Sequence, residues 1–324
     1  MTELLRRICV GTVTRNRPIM LQVLLASYAK MAIPANTQLH FVIVENNSFP
    51  TLTEIIERFR TSVPNCSVQY EVESRLGIAY VRNRVLDIAI SSGHDLLTFA
   101  DDDETVEPDW LVELLAERDA SNLDIVGGPV RPAQVEQMSF FEKVVWKGLF
   151  ESTQKYEQRA IQRREGGKAD RILIATGSWM GNLAFFRATG LRFDNHLALN
   201  GGEDWKLYRE ATRIGARTGW TPHAVVFETV PRERLTLTYQ FRRSRDHSAS
   251  DLRARFAEDR TTALLRLPGS ILSRFLKLMT HLLKLPLRPS RSLVLAASYL
   301  GHIAGSFLAF TGKASPHYQT TTGK

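Results

Sequence analysis

Leu96-Leu97-Thr98-Phe99-Ala100 is a brief apolar run that leads straight into Asp101-Asp102-Asp103-Glu104. Carboxylates at successive positions repel and raise one another's pKa, and a divalent cation relieves that repulsion. Hard cations such as Mg²⁺ or Mn²⁺ select carboxylate and phosphate oxygens. Asp101 and Asp103 could chelate one ion from a single loop. The competing reading is a solvated acidic loop ahead of the helix that begins near Pro108. An EF-hand is disfavoured, because the Gly and the distal Glu of that loop are missing. A second acidic step, Gly201-Gly202-Glu203-Asp204, opens a helix. Acids in a first turn ordinarily complement the helix dipole. The chemical alternative is a general base held where glycines let a substrate come close.

The elements around these acids alternate. Arg7 to Thr14 reads as a buried strand, and Pro18 suits the first turn of a helix through Leu21, Leu24 and Leu25. Leu39 to Val44 is a second strand ending in Glu45-Asn46-Asn47-Ser48. A helix over Leu52 to Phe59, a strand over Val68 to Val72 and a helix carrying Arg82 and Asn83 come next. The acidic strand-loop, a helix from Pro108 to about Arg118 and a strand over Asp124 to Val130 follow. This alternation predicts βαβ units and a mostly parallel sheet flanked by helices. Ligands in such sheets bind beyond the carboxyl ends of the strands, where Thr14, Glu45 and Asp101 are expected to converge. The polar stretch Glu151 to Asp170 reads as a mobile loop or lid.

Composition is ordinary for a globular chain of 324 residues, 44% hydrophobic and 23% charged, with a formal net charge of +8. The charge is uneven: residues 260–324 hold nine Lys/Arg and no Asp/Glu, which leaves residues 1–259 at a net of −1. Those basic residues are threaded through leucines, which points to an anionic membrane surface and not to nucleic acid. Cys9 and Cys66 form neither a metal-ligand spacing nor a disulfide framework. The chain enters a strand directly after Arg6-Arg7, without a signal peptide's apolar stretch. Cytoplasmic chemistry is therefore expected.

Taken together over roughly residues 7–250, the motifs resemble the family 2 glycosyltransferases of the GT-A fold. Those motifs are Thr14-Arg15-Asn16-Arg17-Pro18, Glu45-Asn46-Asn47-Ser48, Gly77 with Arg82-Asn83, Asp101-Asp102-Asp103, Gly181-Asn182 and Gly202-Glu203-Asp204. The form Phe99 to Val106 followed by Asp109-Trp110-Leu111 is similar to succinoglycan-type exopolysaccharide glucosyltransferases. Two departures stand out. The nucleotide-facing acid is usually Asp and here is Glu45. Gln240 and Arg243 keep a Gln-x-x-Arg spacing, but Ser244 replaces the Trp that polysaccharide synthases carry, which favours single-sugar addition.

The resemblance implies a role for each residue. Thr14, Arg17, Glu45, Asn47, Arg82, Asp101 and Asp102 would bind a UDP-sugar. Asp103 with Asp101 would ligate Mg²⁺ or Mn²⁺, and Asp204 would be the base, assisted by Glu203. Asn182, Gly202, Trp205, Gln240 and Arg243 would meet the acceptor, a lipid-linked saccharide. Residues 1–258 would form the catalytic domain and 259–324 a membrane-associating segment at the cytoplasmic face of the inner membrane. Within it, Leu264 to Leu287 reads as a basic amphipathic helix, and Ser292 to Gly312 as an apolar helix that could approach a bilayer's thickness. Gly301 and Gly305 have the spacing of close helix packing. The competing reading is a pair of helices packed on the catalytic domain, or the contact of a homo-oligomer. Rival functions are a sugar nucleotidyltransferase, disfavoured by a poor phosphate loop at Gly11 to Thr14, and a non-catalytic membrane-bound scaffold.

Overall fold

The computed structural model describes residues 5–197 and 202–311. In chain order the elements are β1 (Arg6–Thr14), α1 (Pro18–Tyr28), β2 (Thr37–Glu45), α2 (Thr53–Ser62), β3 (Ser67–Val72), α3 (Ile78–Ser91), β4 (Leu96–Phe99) and β5 (Glu104–Val106). Next come α4 (Trp110–Ser121), β6 (Ile125–Gly127), β7 (Val130–Pro132), α5 (Phe140–Glu165), β8 (Trp179–Asn182), α6 (Leu183–Thr189) and α7 (Glu203–Arg213). The last are β9 (Thr218–Trp220), β10 (Val226–Glu228), α8 (Leu237–Leu283) and α9 (Pro289–Leu308). These residues divide into two compact units. One runs to Arg131 and resumes over Tyr156–Thr229; the other joins Pro132–Lys155 to the residues from Val230 on.

The first unit holds a seven-stranded sheet in the order β3-β2-β1-β4-β8-β6-β9. All its neighbouring pairs are parallel except those of β8, which runs against both β4 and β6. Alternation along β1 covers both faces. Ile8 and Val10 pack with Leu21, Leu24, Phe41 and Trp110, whereas Cys9 and Val13 pack with Val81, Val85, Phe99 and Trp179. The order reverses between β1 and β4, so the crevice between their carboxyl ends is the switch point at which such sheets take ligands. Gly11 lets β1 lie close to α3 there, since a Cβ would stand 2.6 Å from Val85 Cγ1 and 2.8 Å from Phe99 Cε1. A smaller sheet, β5-β10-β7, begins at Glu104, so the acidic run ends in a strand and not in open loop.

The expected lid over Glu151 to Asp170 is instead mostly the second half of α5. Its polar surface concealed a buried anchor, Ala160, packed with Ile172 and Trp220, with Ile161 and Ala169 against the same cluster. Ion pairs from Glu157 to Arg131 and from Arg164 to Glu117 hold the same stretch. In the second unit, α8 kinks at Asp259, where the backbone leaves helical geometry. The Asp259 carboxylate accepts the Thr262 N–H at 3.0 Å and starts the helix afresh.

Candidate active site

Three parallel strands end at the crevice: β1 and β2 stop side by side, Thr14 opposite Glu45, while β4 stops short of them with Phe99 opposite Gly11. The chain beyond β4 then delivers Asp101, Asp102 and Asp103. Thr14 Oγ1 donates to Asp102 at 2.8 Å, and one Arg17 nitrogen donates to Asp102 at 2.7 Å and to Asp103 at 3.1 Å. Asp102 and Glu104 are almost fully buried. Burial, offset in part by Arg17, and the neighbouring Asp103 push the Asp102 carboxyl up to about 6. Burial, then Asp101 and Asp103, push Glu104 well above the usual carboxylate range. Glu104 accepts the Asp101 N–H at 2.7 Å and so shapes the turn of the acidic loop.

Arg82, on α3, is the centre of the site. Its guanidinium donates to Asp101 at 2.8 Å and to Glu203 at the start of α7. Burial opposes its charge, but Asp101, Glu203 and Asp204 together raise its pKa. Glu203 is 2% exposed, and burial drives it up to about 7 against the pull of Arg82, with Asp204 adding repulsion. Glu203 Oε2 and Arg82 Nε have no hydrogen-bond partner among the described residues. Asp204 is only half-buried and accepts the Trp205 N–H at 2.7 Å. Of the two acids at this helix start, Asp204 is the more exposed.

Residues 9–177, just over half of the chain, match the family model described as Glycosyl transferase family 2. The chain belongs to that family. It is 29% identical to the succinoglycan biosynthesis protein ExoM of Rhizobium meliloti (strain 1021) over 243 residues, which is 72% of this chain and 70% of that protein. Its fold is similar to that of the mannosyltransferase PcManGT from Pyrobaculum calidifontis, solved with GDP-Man and Mn²⁺ (TM-score 0.61, 17% identity, 95% and 88% of the two chains). It is also similar to residues 1–349 of S. aureus TarS (TM-score 0.51, 17% identity, 95% and 92%), which has been solved with UDP as well. The GT-A architecture expected from the motifs is thus the one observed.

Within this family 2 glycosyltransferase, the remaining expected residues fall into separate places. Glu45 is fully buried and accepts from the Thr51 N–H and hydroxyl, the Tyr70 hydroxyl and the Asn47 amide. Burial would raise its pKa, but those donors outweigh burial and hold it below the usual range. Its two oxygens are thus occupied by donors of the protein itself. Asn47 serves the same loop, donating to Glu45 and accepting the Ser48 N–H. Asn182 lies in a different place. Because β8 is antiparallel to β4, Asn182 pairs with Leu96 at the amino end of β4, away from the carboxyl ends. There it caps α6 through the Ala184 N–H at 3.1 Å.

Gly202 adopts φ 87°, and a Cβ there would meet nothing within 4 Å among the described residues. Trp205 is exposed, with the Arg209 guanidinium 4.5 Å from its ring centroid. Gly201 lies outside the described residues. Gln240 and Arg243 belong to the second unit, where Gln240 is buried and donates to the Arg234 carbonyl, while Arg243 is exposed.

Sequence reasoning passed over three supporting groups. Asn46 donates to the Glu73 and Arg75 carbonyls and accepts the Gly77 N–H, which fixes the entry to α3. Tyr70 holds Glu45 from the neighbouring strand. Gly177 leaves room for Glu104, since a Cβ would stand 2.1 Å from its Oε1. An Asn directly after a strand was the one visible signal among these.

Among the described residues no three His, Cys, Asp or Glu side chains form a self-contained metal centre. Asp101 and Asp103 supply hard oxygen donors within a buried excess of negative charge, which suits a cation whose other ligands come from a phosphate and water.

Proposed function

We propose that this chain is an inverting, metal-dependent glycosyltransferase that moves one sugar, glucose from UDP-glucose, onto a lipid-linked oligosaccharide in exopolysaccharide assembly. The observation that carries the chemistry is the gathering of Asp101, Glu203 and Asp204 around Arg82. The identity to a succinoglycan biosynthesis protein supports the pathway class, and the UDP and GDP-Man complexes of similar folds support a nucleotide-sugar donor.

The donor would lie over the carboxyl ends of β1 and β4, with Thr14 and Arg17 on the diphosphate side. Asp101 and Asp103 would hold Mg²⁺ or Mn²⁺, which when bound neutralises charge developing on the departing diphosphate. Asp204 takes the proton of the acceptor hydroxyl as it attacks the anomeric carbon, and the C–O bond to the diphosphate breaks. Such a positioned base contributes about 10²–10⁴-fold. A single displacement from the face opposite the leaving group inverts the anomeric centre. Glu203 is buried, so it acts through Arg82 by fixing where Asp101 and the first turn of α7 stand. Glu45, with Asn47, Tyr70 and Thr51, braces the loop after β2.

The basic, leucine-rich end of the chain supports work at the cytoplasmic face of a membrane, where a lipid-linked acceptor resides. The test is transfer of radiolabel from a panel of nucleotide sugars to lipid extract by the purified chain with Mn²⁺. Transfer from UDP-glucose that Asp204→Asn reduces at least about 100-fold, with donor binding intact, is the expected result. Full activity in Asp204→Asn would overturn the assignment of the base.

A further inference from the structure

Pro289–Thr311 is long and apolar enough to cross a bilayer, with 23 residues and a mean hydropathy of 1.7 over its 18-residue apolar stretch. Its surroundings inside the second unit argue against that use. An added Cβ at Gly301 would lie 2.3 Å from the Phe241 carbonyl oxygen, and one at Gly305 would lie 2.2 Å from that of Arg245. The small-residue stripe therefore brings α9 into backbone contact with the first half of α8, where Arg242-Arg243-Ser244-Arg245-Asp246-His247 is densely charged. The second half of α8 also meets α9 through polar groups. Arg274 donates to Ser306 Oγ at 2.7 Å and to the His302 carbonyl at 3.2 Å on α9, and also to Ser248 Oγ at 3.1 Å on the first half of α8. A helix flanked in this way would carry ionised groups into the hydrocarbon, where they are strongly disfavoured.

The surface left open is the outer side of the second half of α8. Leu265, Leu272, Leu276 and Leu283 recur at intervals of seven, four and seven residues and are between 56% and 81% exposed. Leu264, Phe275 and Leu282 widen this stripe, whereas Ala263 and Leu278 on the other side are buried. Arg266, Lys277 and Lys284, spaced by eleven and seven, form an exposed basic row beside it, and Arg288 extends the row. No acid occurs between residues 260 and 324 to offset them. An apolar helical stripe edged by Lys and Arg matches a bilayer interface, with the apolar side chains in the acyl boundary and the cations at anionic headgroups.

We propose that the second half of α8 is an in-plane anchor for an anionic lipid surface, and that α9 is its internal packing partner and not a span. This rests on the membrane-surface part of the proposed function and specifies which face does the work. The purified full chain is added to preformed phosphatidylglycerol/phosphatidylcholine vesicles and to pure phosphatidylcholine vesicles, and co-sedimentation is measured at low and high salt. The expected result is binding to the anionic vesicles alone, weakened by salt. Leu272→Glu with Leu276→Glu should abolish it, and the triple reversal R266E/K277E/K284E should weaken it on the order of 100-fold.

The triple variant changes only exposed side chains, so it keeps the test decisive if the leucine variant does not fold. Equal binding to both vesicle types, unchanged binding by the triple variant, or a protease-protected fragment containing a bilayer-crossing α9 would each overturn the proposal. A dimer that the same substitutions dissolve, without vesicle binding, would also overturn it by identifying a second copy as the occupant. Donor hydrolysis in vesicle-free buffer is read separately, so failure of the anchor and failure of the enzymatic reading are distinguishable.

Discussion

Arg82 and Glu203 stand 121 residues apart in the chain and meet as an ion pair, each side chain 3% exposed. The pair ties α3 to the start of α7, and the second arm of Arg82 ties both to Asp101. A guanidinium suits this position because its planar fork serves two carboxylates at once.

Removing the cation strands two acids. Arg82→Met is expected to lower stability by about 3–5 kcal/mol, the usual effect of breaking a buried pair by deleting one partner. Urea unfolding followed by circular dichroism measures it. Arg82→Lys should recover part of the stability but little transfer activity, since one ammonium cannot fork to Asp101 and Glu203 together.

The pH dependence has a defined sign. Burial lifts folded Glu203 from 4.5 to about 7. Between those values folded Glu203 keeps a proton that the unfolded chain has lost, so its contribution to stability falls as pH rises through this window. The shift corresponds to on the order of 3 kcal/mol. Glu203→Gln cannot ionise, so its urea midpoint should vary less between pH 5 and about 7 than that of the parent chain. A Glu203→Gln midpoint that varies with pH as much as the parent's would refute the assignment.

Glu104 needs the gap that Gly177 provides. Gly177→Ala would place a methyl 2.1 Å from the buried carboxyl oxygen. The expected cost is about 1–3 kcal/mol, as for overpacking elsewhere. Glu104→Ala in the same chain should return much of that loss, which a double-mutant cycle in thermal unfolding reads directly.

Asn182 separates a cap from a substrate contact. As the cap of α6, its replacement by Ala should cost about 0.5–2 kcal/mol. The acceptor KM should stay unchanged. A raised KM at unaltered stability would restore Asn182 to the acceptor side.

Loss of the Tyr70 hydroxyl tests the brace on Glu45. Tyr70→Phe should cost about 1.5–3 kcal/mol, the range for a hydrogen bond to a charged group. It should also loosen the 46–51 loop, observable as faster amide exchange at Thr51, whose N–H is bonded to Glu45.

The sequence by itself determined the alternation of strands and helices, the family and the loop that presents Asp101–Asp103, because these depend on local pattern and chain order. An apolar run of strand length followed by acids is readable without knowing its neighbours. The small-residue spacing of Gly301 and Gly305 likewise announced close helix packing. Only the tertiary structure decided which acids face solvent. Glu203 and Asp204 are adjacent in sequence, and the rotation of one residue around α7 buries the first against Arg82 and leaves the second accessible. The same holds for Asn182, whose position depends on the direction of β8, and for Glu45, whose oxygens are taken by Tyr70 and Thr51. Direction, burial and partner choice are properties of the assembled sheet, so no residue spacing encodes them.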